Sequence, residues 1–139
     1  MKKIVSKFRE IFNRYSNVVK GNVVIIIICI LMYICNQLYL KRSFSSIWIH
    51  GYFNDCLAGI ILLAYVQIVL LTFFTKKISF TQTIVLVFFS GLYWEFIAPL
   101  YRMEAVTDYR DLIAYELGGV ICFLINKIII GRPAMKSQA

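Results

Sequence analysis

Charge is scarce in this sequence. Asp, Glu, Lys and Arg make up 16% of its 139 residues, where an ordinary soluble domain carries about 25%. Hydrophobic residues make up 60% and come in long runs rather than short periodic stripes, which excludes an ordinary globular domain and indicates a membrane protein. The length allows one domain. CxxC pairs are missing. Cys29, Cys35, Cys56 and Cys122 are not spaced as zinc ligands, and the first, second and fourth lie in apolar runs, as thiols packed in lipid or between helices do. There is one histidine, His50, and no GxSxG, HExxH or glycine-rich phosphate loop. No nucleophile stands out, so whether the chain is an enzyme stays open. Internal repeats are absent. A compact cleavable leader is not expected, because residues 1–20 hold Lys2, Lys3, Lys7, Arg9, Arg14 and Lys20, too long and polar a stretch for one.

What is present is a set of four apolar runs, roughly 23–40, 54–74, 80–98 and 111–130, each near the ~20 residues that cross a bilayer as a helix. The breaks between them are legible. Trp48 is placed as an interfacial anchor in the loop at 41–51. Thr75, Lys76 and Lys77 end the second run, Pro99 marks the end of the third, and Gly131, Arg132 and Pro133 stop the fourth. The expected fold is all-α: a polytopic membrane domain of about four transmembrane helices over 21–131, with a short tail at 132–139. Residues 1–20 form a basic N-terminal segment in which Ile4, Phe8, Ile11, Phe12 and Tyr15 recur at helical spacing. That pattern suits an amphipathic helix lying on an anionic membrane surface; the plainer reading is a solvated basic tail that only fixes topology.

The net charge of +8 sits at the ends of the apolar runs, so it is read as a topology signal rather than a nucleic-acid surface, and no nucleic-acid partner is expected. Six basic residues in 1–20, Lys76 and Lys77, and Lys127, Arg132 and Lys136 fall on one side, against Lys41, Arg42, Arg102 and Arg110 on the other. The positive-inside rule then puts both termini in the cytoplasm, which an even number of spans allows.

On that topology six of the seven acids, all but Glu10, meet at the non-cytoplasmic face together with His50. Glu95 lies inside an apolar span, where an ionisable group is costly and usually faces a cavity or a partner, here Arg102 or Arg110; near Pro99 it also has the option of snorkelling to water. Asp108, Asp111, Tyr115 and Gly118 share one helix face, and Gly118 with Gly119 lets a neighbouring helix come close. The competing reading is capping, with Thr107 or Asp108 on the free amides and Asp111 at the positive helix end. His50, Asn54 and Asp55 precede the second run and read either as a proton carrier or ligand beside a carboxylate or as a polar helix cap. Glu95, Asp108, Asp111 and His50 are thus the candidate acid–base or ligand groups, with Arg102, Arg110, Asn54, Asp55 and Tyr115 as substrate-binding candidates. A divalent cation is compatible with these carboxylates.

The stretch 91–119 resembles the VanZ-like family of bacterial membrane proteins. Glu95 looks like that family's glutamate near a helix end, Arg102 or Arg110 like its loop basic residue, Asp108 and Asp111 like its Asp-x-x-Asp pair, and Gly118 like the glycine that follows. The chain departs from the pattern at Pro99, near the place of a glutamine, and at Tyr115, in the place of an asparagine. The resemblance implies a protein of the bacterial inner membrane, in a family linked with glycopeptide resistance and envelope functions. The resulting expectation is an outward-facing acidic, His and Arg site that binds or processes a lipid-linked or headgroup component of the envelope. The alternatives are a small transporter or ion-binding subunit, which four helices form only as a homo-oligomer, and a structural assembly partner without a site.

Overall fold

The apolar runs become helices because a backbone without water must satisfy its N–H and C=O groups within one segment. The structure is a computed structural model, and it describes residues 2–43, 46, 49, 51–97, 100 and 108–131. Helix α1 covers Lys2–Cys35 and continues through a π-helical turn, π1 (Asn36–Leu40), into a last turn at Lys41–Ser43. Helix α2 is Tyr52–Phe74, α3 is Phe80–Leu92 followed by a second π-helical turn, π2 (Tyr93–Ile97), and α4 is Tyr109–Gly131. Among the described residues three helical stretches are long and apolar enough to cross a membrane: Tyr15–Ser43, Tyr52–Phe74 and Phe80–Ile97. At 1.5 Å per residue the 23 residues of α2 reach about 34 Å, enough for a hydrocarbon core of about 30 Å. Large apolar side chains such as Val24, Ile27, Leu31, Phe73, Phe89 and Leu124 are exposed, as lipid-facing residues are.

The N-terminal segment is helical and continuous with the first span. No break separates a surface helix over 1–20 from the first span; α1 is one helix from Lys2 to Cys35, and its apolar stretch begins at Tyr15. Gly21 and Asn22 do not interrupt it because Asn22 is satisfied in place. Its Nδ2 donates to the Val18 carbonyl at 2.9 Å and to Asn126 Oδ1 at 2.7 Å. Asn126 Nδ2 returns a bond to Asn22 Oδ1 at 2.9 Å and donates to the Cys122 carbonyl at 3.0 Å. Both amides are buried, so this reciprocal pair ties α1 to α4 where lipid offers no alternative partner.

Helix α4 packs against α2, α3 and α1. A Cβ at Gly59 would run into the Tyr115 carbonyl, and one at Gly118 into the Cys56 carbonyl, so α2 and α4 meet backbone to backbone. Gly119 receives the Val87 side chain and Gly91 the Leu112 side chain, which seats α3 on another strip of α4. Leu63, Ala64 and Cys122 form the centre of the core, with Ile25, Ile60, Leu86 and Phe123 around them.

The α2–α3 turn is held by specific bonds. Thr75 closes α2 in the left-handed region at φ 52°, with its N–H on the Leu70 carbonyl, a post that usually goes to glycine. Ser79 and Gln82 form a reciprocal capping box at the start of α3. The Ile78 N–H donates to Oε1 of buried Gln67 at 3.3 Å, which anchors the turn to α2.

Candidate functional site

The chain reverses direction between α2 and α3 and again between α3 and α4. The start of α2, the end of α3 and the start of α4 therefore share one end of the bundle, and the acids lie there. Asp55 is in the first turn of α2, Glu95 in π2, and Asp108 and Asp111 at the entry to α4. Glu95 is only 9% exposed. Its Oε2 accepts the Asp108 N–H at 3.1 Å, so a π-helical turn presents a carboxylate to the first residues of α4. Asp108 in turn caps that helix. Its Oδ1 accepts the Arg110 N–H at 2.9 Å, its carbonyl accepts the Asp111 N–H at 3.1 Å, and Oδ2 receives the Tyr52 hydroxyl at 3.4 Å. The cap expected as the alternative role of Asp108 is thus present in the structure.

Behind the cap lies the acidic cluster. Tyr115 and Asp55 lie within electrostatic reach of each other. Asp111 lies within electrostatic reach of Asp55, Glu95 and Asp108, and Tyr115 within reach of Glu95 and Asp111. Arg110 is exposed and turns toward aromatic neighbours: its guanidinium carbon lies 5.9 Å from the Tyr109 ring centroid, and Tyr52 lies within electrostatic reach. Among the described residues no group of three or more His, Cys, Asp or Glu side chains is gathered as a metal site would need. His50 and Arg102, with Glu104, Thr107, Trp48 and Pro99, lie outside the described residues.

Two residues of this end escaped the sequence reading. Asn36, fully buried in π1, donates Nδ2 to Asn54 Oδ1 at 2.9 Å and to the Ile49 carbonyl at 3.1 Å, while its buried Oδ1 has no partner among the described residues. It joins the end of α1 to the start of α2 beside the acids. The only sequence signal was a polar Asn36–Gln37 pair inside an apolar run. Tyr52, which reaches Asp108 and Arg110, carried none. Glu116 sits one helical step from Leu112 and Gly119, on the strip of α4 that meets α3. Both its carboxylate oxygens are buried without a hydrogen-bond partner among the described residues.

An all-helical architecture with helices long and apolar enough to cross a membrane fits the class of multi-pass helical membrane proteins. Compared with protein-family models, curated proteins and solved structures, the chain has no match.

Proposed function

We propose that this chain is a VanZ-like protein of the bacterial inner membrane whose acid-rich end faces outward and binds the headgroup of an envelope lipid or lipid-linked compound. In this reading α4, 23 residues long, is the fourth span, and the lysine bias puts both termini in the cytoplasm. One observation carries the proposal: Asp55, Glu95, Asp111 and Tyr115, from three different helices, share one electrostatic neighbourhood around a buried carboxylate. Such a crowd of acceptors is costly near a bilayer and suits a ligand that brings donors, an ammonium or a set of hydroxyls.

The test is a thermal shift in micelles with short-chain phosphatidylethanolamine, against phosphatidylcholine, which has no N–H donor. Phosphatidylethanolamine raises the melting temperature of the wild type, and Asp55→Asn with Glu95→Gln removes that rise. No rise in the wild type sinks the proposal. A second reading, a latch without a ligand, is favoured by the bond from Asp108 N–H to Glu95 and by the Asp108 cap. It expects no ligand response and a loss of stability whenever that bond is broken.

A further inference from the structure

At the opposite end of the bundle, between α2, α4 and the α2–α3 turn, lies a cavity of about 310 Å³ lined by Leu63, Gln67, Lys77, Ile78, Phe123, Asn126 and Lys127. Ligand pockets run from about 300 Å³ upward. The walls are apolar: Leu63 from α2, Phe123 from α4 and Ile78 from the turn. The polar groups are two lysines and two amides. Lys77 and Lys127 bring ammonium groups, and Lys77 also lies over the Tyr15 ring at 5.8 Å. Gln67 is only 2% exposed. Its Oε1 is taken by the Ile78 N–H, so the Nε2 amide is the donor group it brings to the cavity. The Asn126 amide is already engaged with Asn22 and Cys122, and no carboxylate is among the described residues that line the cavity. The space therefore offers donors and positive charge at its polar part and hydrocarbon elsewhere.

We propose that this cavity binds an anionic phospholipid, with the phosphate between Lys77, Lys127 and the Gln67 amide and the upper acyl chain against Leu63, Ile78 and Phe123. Charge complementarity selects an anion, and the apolar walls select one that carries a chain. A basic pocket between membrane helices is a site of this kind. The assignment is independent of the acid-rich end, whose groups are acceptors.

Native mass spectrometry of the protein released from micelles tests it, with dioleoyl phosphatidylglycerol and dioleoyl phosphatidylcholine as probes. The wild type retains phosphatidylglycerol about tenfold better. Lys77→Gln with Lys127→Gln abolishes the preference, and Lys77→Arg with Lys127→Arg keeps it. Ile78→Phe, which fills the cavity and alters no charge, expels the lipid; this variant decides the matter should the glutamine pair fail to fold. Equal retention of the two lipids, a preference that survives both the glutamine pair and Ile78→Phe, or full displacement by inorganic phosphate overturns the proposal.

Discussion

Glu95 gives one carboxylate oxygen to the Asp108 N–H at 3.1 Å, and the chemistry of that bond separates charge from shape. Glu95→Gln keeps an acceptor oxygen of the same reach and should lower stability by less than about 1 kcal/mol, whereas Glu95→Leu strands the Asp108 N–H and should cost about 1–3 kcal/mol. Thermal unfolding of both variants in micelles checks the order; equal losses would show that the charge, not the bond, holds the entry to α4. The position of Glu95 was legible in the sequence, because a lone carboxylate in an apolar span stands out. Its partner was not, since a backbone N–H carries no side-chain signature. Asn22 and Asn126 were overlooked for a related reason: amides 104 residues apart reveal their pairing only when both helices are in place.

At the scale of elements, α2 and α4 approach through glycine. Gly118 lies against the Cys56 carbonyl and Gly59 against that of Tyr115, so a methyl group at either place meets backbone that has no room to yield. Gly118→Ala should push the helices apart and cost about 2 kcal/mol or more, with Gly119→Ala milder because it meets the movable Val87 side chain. Melting temperatures of the two variants measured side by side test this; a harmless Gly118→Ala would refute the close contact. The sequence reading anticipated that Gly118 and Gly119 admit a neighbour, but treated them as one pair; the structure divides them between α2 and α3. Helix boundaries were legible where charge, Pro or a turn interrupts an apolar run. The capping box Ser79-x-x-Gln82 was legible too, as a serine followed three residues later by glutamine, but the lysines beside it drew the boundary instead. The π-helical turns were not legible, because a one-residue change in hydrogen-bond spacing leaves hydropathy untouched.

Across the whole molecule, the two ends of the bundle differ in chemistry, acceptors at one and donors at the other. The proposed orientation then predicts that maleimide labels Lys76→Cys only after the inner face of the membrane is opened, while Arg42→Cys reacts from outside, in a background with Cys29, Cys35, Cys56 and Cys122 replaced. Labelling of both from the same side would discard the topology, and reversed accessibility would invert it. The gathering of Asp55, Glu95, Asp108 and Asp111 at one end followed from counting spans, since an alternating path sends successive breaks to opposite faces. The finer geometry, with Asn36 on Asn54 and Tyr52 on Asp108, depends on how far each helix is rotated.

That rotation is where the two π-helical turns matter. π1 carries buried Asn36 and π2 carries buried Glu95, and wider turns of this kind are frequent at functional sites. Each acts as one residue of slack in the winding of its helix. Deleting a single residue from either turn would take up that slack and return the winding to the α pitch with the residues beyond it in nearly the same phase, whereas a deletion from the α-helical part just before it would swing everything beyond by about 100° about the axis, carrying the polar groups at that end toward lipid. The acid-rich end is therefore set by chain phase as much as by residue identity, and a one-residue deletion in the helix before either turn is a larger perturbation than the same deletion within it.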